Sequence, residues 1–414
     1  MSDTLTDPPH TGLGEPPHYP MVRDSGCPLA PPAQLRVLGE SKPVHRVRIW
    51  DGSTPWLVTG YDEVKALFAD PRVSVDDRMP GFPHWNGAMK AMVAKRVRSV
   101  VIADGDEHAK FRRVMSKHFT FHRMSALRPK IQAITDAHID AMLAGPAPAD
   151  LVALLGLPVP SLVISELLGV PYEDAPLFQK HADIGLARFA AAEDARQGRA
   201  ELLKYLARLV ETKMENPGED AVSDLAEKVK TGDLTVLEAA QAANGLLLAG
   251  HETTANMIGL SVLTLLEHPD QLALLRDTDD PKVLANGVEE LLRYLSIVQN
   301  GQRRVATDDI EIGGETIRAG EGIIIDLVPA NWDGAVFDDP LRFDVERDNA
   351  GRNVAFGFGR HSCVGQTLGR IELQIVLGTL FRRVPTLRLA TPIEQIQFKN
   401  DRLAYGVYEL PVSW

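Results

Sequence analysis

The chain has 414 residues, 44% hydrophobic and 24% charged, an ordinary globular composition with ample apolar material for a large core. Its formal net charge of −12 argues against partners held by a broad positive field, such as nucleic acid or an anionic membrane. Two cysteines, Cys27 and Cys363, are too few for a disulfide framework and suit a reducing cytoplasm.

Residues 1–43 are rich in proline and polar groups and are expected to be irregular; acidic residues and prolines stand where a signal peptide would place basic residues and an apolar run. With no interior Gly/Ser linker and no repeat, residues 44–414 are expected to form a single domain. Segments 44–50 and 54–59 flank Asp51-Gly52 as a short hairpin. Apolar residues then recur at helical spacing over 62–68, 106–118, 124–143, 151–168, 191–214 and 235–266, and His268-Pro269 reads as a further helix start. The stretch 246–266 is long and apolar, but His251, Glu252, Thr253 and Thr254 interrupt it, so it reads as a core helix rather than a membrane span. After Tyr294 the period changes: 310–312, 315–317, 323–328 and 405–410 read as small sheets. The expected architecture is mainly α, a large helical domain with small β-sheets.

Three clusters carry chemistry. The first is Phe356-Gly357-Phe358-Gly359-Arg360-His361-Ser362-Cys363-Val364-Gly365, followed by a helix-like run over 366–377. Its glycines let the backbone turn tightly and lie flat against a large planar ligand, and a cysteine at a helix N-terminus beside basic groups has its thiolate favoured. Alone, such a cysteine is more often a small buried hydrophobe. Zinc is disfavoured, because no second Cys/His pair at ligand spacing accompanies it. The second cluster is Glu290-Leu291-Leu292-Arg293, whose charged ends share one helix face and can pair. The third is Ala249-Gly250-His251-Glu252-Thr253-Thr254, where Thr253 can bond back to the carbonyl of Ala249 and the small residues leave room beside the backbone.

The ten residues ending at Gly365 resemble, position for position, the cysteine-ligand signature of the cytochrome P-450 family, and the resemblance extends over nearly the whole chain. It implies the triangular, mainly helical P-450 fold, with residues 44–414 as the catalytic domain, haem b as cofactor and Cys363 as axial ligand to its iron. It implies that Glu290 and Arg293, together with Arg342, lock the helix to the meander beneath the haem. It makes Glu252 and Thr253 the catalytic pair that supplies protons for oxygen activation, beside Ala249 and Gly250. His108, Arg112, Arg304 and His361 become partners of the haem carboxylates, with Phe356, Gly357 and Gly365 in the cofactor loop. Segments 249–257 and 365–373 look closest to soluble bacterial members that oxidise natural products and foreign compounds. Trp332, where many relatives carry arginine, and Gly369, where alanine is usual, depart from the pattern.

The activity implied is monooxygenation: one oxygen atom of O2 enters a lipophilic small molecule. No flavin or iron–sulfur segment is visible, so electrons are expected from NAD(P)H through an external ferredoxin and its reductase, with Arg113, Lys117, Arg352, Arg360 and Arg370 as a basic docking face. By the same resemblance Phe82, Trp85, Phe178, Phe189, Ile297, Val298 and Leu403 should contact substrate. The rival readings are a haem-thiolate nitric oxide reductase, which would have no use for an acid at Glu252, and a haem-binding sensor, which would need neither Glu252 nor Thr253.

Overall fold

The computed structural model describes residues 15–93, 103–174 and 192–414. In chain order its helices are α1 (Ala33–Ser41), α2 (Tyr61–Ala69), α3 (Gly87–Met92), α4 (Gly105–Ser116), α5 (Phe121–Ala126), α6 (Arg128–Ala144), α7 (Pro158–Leu168), α8 (Ala192–Glu215), α9 (Ala221–Lys230), α10 (Val236–Glu267), α11 (Pro269–Arg276), α12 (Pro281–Leu295), α13 (Leu327–Ala330) and α14 (Gln366–Arg383). The strands are short: β1 (Val44–Arg46), β2 (Trp56–Val58), β3 (Val73–Ser74), β4 (Ala149–Asp150), β5 (Gln302–Ala306), β6 (Ile310–Ile312), β7 (Glu315–Ile317), β8 (Gly322–Ile325), β9 (Arg388–Leu389) and β10 (Pro411–Ser413). The molecule is therefore mainly helical with small sheets, as expected.

The long helix α10 organises the helical part. Thr235 caps it and Glu238 completes a capping box, the Glu238 N–H donating to Thr235 Oγ1 and the Thr235 N–H to Glu238 Oε2 at 2.8 Å. It ends at His268, where Pro269 starts the next helix without losing a hydrogen bond. From Thr254 to Leu265 every residue of α10 is buried, because α7, α8, α9 and α14 pack around it. Its apolar composition is thus explained by protein neighbours. Among the described residues no helix is long and apolar enough to cross a membrane.

Two expected helices are broken where proline dictates. The 124–143 run divides at Leu127, just ahead of Pro129 in the first turn of α6. The 151–168 run opens with a π-helical turn, Val152–Gly156, ahead of Pro158, whose missing N–H and ring cannot continue an α-helical ladder. The strand expected over 405–410 is absent. Only isolated bridges, Phe398 to Val407 and Val298 to Ala404, hold that hairpin, and the strand proper is β10.

The main sheet has the order β1-β2-β8-β5-β3, with Val44 opposite Val58 in the predicted hairpin and β2 parallel to β8. The N-terminal stretch is less irregular than its prolines imply. Helix α1 follows Pro32, and Arg23, buried against the Tyr405 ring, donates to the carbonyls of Leu29, Ala30 and Leu295. Tyr19 O–H donates to Asp326 at 2.7 Å, tying this segment to the end of β8.

Beneath the C-terminal half of α12 lies a fully buried charge network. Arg293 donates from Nε and Nη2 to the two carboxylate oxygens of Glu290 at 2.7 and 2.8 Å. Its remaining N–H groups reach the carbonyls of Asn331, Pro340 and Arg342. The expected third member, Arg342, is not part of this network: its side chain is 63% exposed and pairs with Asp344, and only its carbonyl takes part. Arg347 fills the place instead, its Nε 3.1 and 3.2 Å from the Glu290 oxygens and its other N–H groups on the carbonyls of Asp338, Asp339 and Arg342. The reason is reach: from Arg347 the guanidinium meets both a buried carboxylate and three carbonyls of the folded-back meander, whereas Arg342 sits on its outer side. Removing one partner of a buried pair leaves an uncompensated charge, whereas an exposed pair contributes little. Arg347→Met should therefore cost about 3 kcal/mol or more of unfolding free energy, and Arg342→Met about 0.5 kcal/mol or less, both read from denaturant titrations.

Candidate active site

A cleft opens between α10 and the loop preceding α14. Ala249, Thr253, Thr254 and Met257 line it from the helix; Ala355, Phe356, Gly357, His361 and Cys363 from the loop; and Gly369 and Leu373 from α14. Phe68, Leu292, Ile297, Val298, Gln302, Arg304 and Leu327 complete the wall, enclosing about 930 Å³ of space that is partly continuous with solvent. The lining is predominantly apolar, with a few polar groups at defined places, as in small-molecule sites generally.

The loop is shaped by its glycines. Gly357 has φ +70° and Gly359 φ +68°, the left-handed region that favours glycine, and a Cβ on Gly359 would stand 2.6 Å from the Phe68 carbonyl oxygen. Cys363 N–H donates to the Phe356 carbonyl at 2.8 Å, folding the cysteine back beneath the phenylalanine. The side chain is open to the cleft yet deep within the molecule, and desolvation there raises the thiol pKa. The N–H groups of Gly365 and Gln366, together with Arg112 and Arg370, act in the opposite direction. At Gly369 a Cβ would meet the Phe356 ring at 3.6 Å, an ordinary contact, so the departure from alanine costs helix propensity without serving any tight packing. Trp332 packs at a tilt against Tyr294, ring centroids 4.8 Å apart, and donates its indole N–H to the Tyr294 carbonyl, packing α13 against α12.

Basic side chains gather beside the cleft: His361 and Arg304 line it, while His108, Arg112 and Arg360 line an adjoining hollow. The rings of His108 and His361 lie 4.2 Å apart, and Nε2 of each, like Nε of Arg360, is buried without a hydrogen-bond partner among the described residues. Arg304 is buried and makes one hydrogen bond, to the Arg303 carbonyl; burial pulls its pKa down to about 10. His108 is likewise pulled down to about 4 by burial, helped by His361 and Arg112. Asp104, in the N-cap position of α4, does not cap that helix: its Oδ2 accepts from Ser74 and from the Val75 N–H, while Oδ1 lies 3.4 Å from His361 Nε2, too poorly aligned for a hydrogen bond. Arg112 is turned toward the loop, donating to the Ser362 carbonyl at 2.6 Å. Unsatisfied buried donors on this scale are costly unless an acceptor joins them.

On α10 the Thr253 hydroxyl donates to the Ala249 carbonyl at 2.6 Å, as the spacing predicts. Glu252, half-buried, stands beside it and outside the cleft lining. Gly250 faces elsewhere than expected: a Cβ there would meet Ile164 of α7 at 3.1 Å, so its small size serves helix packing. His251 is buried, with Nδ1 unpartnered and its other contact to the Leu157 carbonyl; burial pulls it down to about 4.

Of the residues expected to touch substrate, Ile297 and Val298 line the cleft. Phe82, Trp85 and Leu403 are not among the described residues that line it: Phe82 packs on His84, Trp85 covers the buried Arg303 guanidinium at 4.2 Å, and Leu403 stands half exposed at a hairpin tip. Sheet geometry is the reason for Trp85, since Arg303 points to the face opposite Gln302 and Arg304. Phe178 and Phe189 lie outside the described residues. Sequence reasoning missed Met257, Leu292 and Leu327; of these only Met257, one helical turn beyond Thr253, carried a legible signal. Of the basic residues, Arg113 and Arg352 are exposed, and Lys117 is exposed but paired with Asp224. Arg370 pairs with Glu289, and Arg360 turns inward to the carbonyls of Asp70 and Val73. Phe358 and Phe121 are exposed apolar residues on the same loop and on α5.

The family model for cytochrome P450 matches residues 188–399. The chain is 68% identical over 415 residues to cytochrome P450 CYP105Q4 of Mycobacterium marinum, covering all of both, and 42% identical, again covering both, to the vitamin D3 dihydroxylase of Streptomyces griseolus. It superposes on the crystal structure of GfsF with a TM-score of 0.93 at 52% identity, covering 96% of this chain and all of that one. The chain belongs to the cytochrome P450 family and is an oxidoreductase of the monooxygenase type. The prosthetic group of that family is haem, and the residues present fit it. A sulfur faces the cleft from one side, Arg304 and His361 line it, and His361 and its neighbours His108 and Arg360 carry buried nitrogens without a partner among the described residues, which an acidic group would satisfy.

The buried histidines make a pH prediction. His251 binds its proton less readily folded than unfolded, so between the unfolded pKa of about 6.5 and the folded value of about 4 the unfolded chain holds more protons. Stability from this residue is complete above that window and falls as pH drops through it, by on the order of 3 kcal/mol from pH 7 to pH 4. His251→Phe should flatten the stability profile by that amount, measured by urea unfolding at each pH.

Proposed function

We propose that the chain inserts one oxygen atom of O2 into a lipophilic small molecule, using haem b held through Cys363 and electrons delivered from NAD(P)H by an external ferredoxin and its reductase. The observation that carries this reading is the opposition, across one apolar cleft, of the Cys363 sulfur and the Thr253 hydroxyl. Haem held there would supply the redox and oxygen-activating chemistry, with Cys363 as the residue that would bind its iron.

The chain's own residues do the rest. Gly357 and Gly359 shape the loop that presents the Cys363 sulfur to the cleft. His108, His361 and Arg304 hold the cofactor carboxylates, while Arg112 braces the loop through Ser362. The Thr253 proton is committed to the Ala249 carbonyl, so its oxygen faces the cleft as an acceptor that orients a proton donor. Glu252, next to it and half-buried, is the group that exchanges protons with the outside. Met257, Leu292, Ile297, Val298 and Leu327 exclude water and hold an apolar substrate. The relatedness to a vitamin D3 dihydroxylase supports a lipophilic substrate for this chain as well. For the donor we propose docking through the exposed Arg113 and Arg352, a contact that should weaken with salt.

The first test is the difference spectrum of the reduced protein with carbon monoxide. The long-wavelength Soret band of thiolate ligation is expected for the wild type and should be lost in Cys363→Ser; a band typical of histidine ligation would overturn the assignment. In a second test, Thr253→Ala should keep that band while product formed per NAD(P)H falls and peroxide rises, because the acceptor that orients the proton donor is gone. Unchanged coupling would sink the relay and favour a reaction that takes no protons through α10.

A further inference from the structure

The hairpin over residues 398–407 is fastened to α10 one turn beyond the acid–alcohol pair. Lys399 extends its ammonium to the Asn256 side chain, donating from Nζ to Oδ1 at 2.7 Å, and Asn256 is buried. Asn256 stands four residues after Glu252, so the two share a helix face; the ammonium and the carboxylate make no direct ion pair, but Glu252 acts on the ammonium through space. The fit is close: a Cβ on Gly406 would lie 2.3 Å from Asn256 Oδ1, so only glycine lets the hairpin approach so near. Lys399 itself is fixed by its N–H to the Gly406 carbonyl, and its own carbonyl accepts from Gln299 Nε2, which also reaches the Arg402 carbonyl. Gln299 follows Ile297 and Val298, two of the cleft-lining residues.

We propose that Lys399 is a positioning residue for Glu252: it places a fixed positive charge near the carboxylate and ties the substrate-side segment 297–299 to the proton-relay turn of α10. This rests on the reading of Glu252 as the relay acid. A partly buried ammonium is less readily kept charged, and burial lowers the Lys399 pKa, with Glu252 the first of the opposing influences. The other charged and titratable groups around it are His251 on α10 and Asp401, Arg402 and Tyr408 on the hairpin. Arg402 works against the ammonium and Asp401 for it, while Lys399 lies over the Tyr408 ring at 5.6 Å. Through this clasp a substrate pressing on Ile297 or Val298 acts on the hairpin and so on the charge near Glu252. No proton transfer by Lys399 itself is required.

The test uses the holoprotein. First, with 13Cε-labelled lysine in the diamagnetic ferrous carbonyl state, the Lys399 resonance, identified by its loss in Lys399→Arg, should titrate at lower pH in Glu252→Gln than in the wild type, by roughly half a unit or more. An unmoved titration overturns the proposal, and this measurement needs no foldable Lys399→Met variant. Second, Lys399→Met should lower product per NAD(P)H roughly three- to tenfold with the reduced carbon monoxide band unchanged, Lys399→Arg should restore most of it, and Lys399→Met should add little in a Glu252→Gln background. Equal losses in both backgrounds would mean a merely structural clasp and overturn the positioning role. If Glu252→Gln alone leaves coupling unchanged, the relay reading falls and the proposal with it. If Glu252→Gln uncouples and Lys399→Met does not, the reading stands and the proposal fails.

Discussion

A fully buried guanidinium, that of Arg293, is the constraint on which the cysteine side of this molecule depends. Desolvating such a charge costs several kcal/mol, and the cost is offset only if every N–H finds an acceptor in good geometry. Glu290 supplies both carboxylate oxygens, and the meander supplies the carbonyls of Asn331, Pro340 and Arg342, so satisfying one side chain forces three segments distant in sequence to converge. Arg347 then shares the Glu290 carboxylate and draws the next bend of the meander inward.

The neighbouring Glu289 extends the same framework toward the site. It pairs with Arg370 of α14 and accepts from the Asn353 amide, while Asn331 Oδ1 accepts the Val354 N–H. The chain entering the cysteine loop and the helix leaving it are therefore both anchored to α12. Between these anchors the glycines allow the backbone to double back, and the sulfur ends up facing α10 across the cleft. Rigidity here matters chemically, because a ligand atom must be held at its productive position by its supports.

On the opposite wall, α10 combines two demands that conflict in an ordinary core helix. It must be apolar enough to pack on all sides, and it must carry an acid and an alcohol. The structure separates these around the helix. Gly250 meets α7, His251 is buried toward Leu157, Thr253 turns to the cleft with its proton on Ala249, and Asn256 receives the C-terminal hairpin.

Much of this was legible in the sequence because it is local. Helical period marks most of the helices, the turn Asp51-Gly52 marks the first hairpin, and Cys363 among glycines, Thr253 four residues after Ala249 and the Glu290–Arg293 pair follow from spacing within one element. What required the tertiary structure were choices between similar residues brought together from afar. Nothing local distinguishes Arg347 from Arg342, since only the fold of the meander decides which guanidinium reaches Glu290. Likewise Trp85 and Leu403 look like pocket residues until sheet and hairpin geometry turn them away, and Lys399 reads as one more surface lysine until the hairpin lays it on Asn256. Periodicity and backbone chemistry act over a few residues and are written in order along the chain. The meeting of a charge with its partner depends on distances that exist only once that chain has closed on itself.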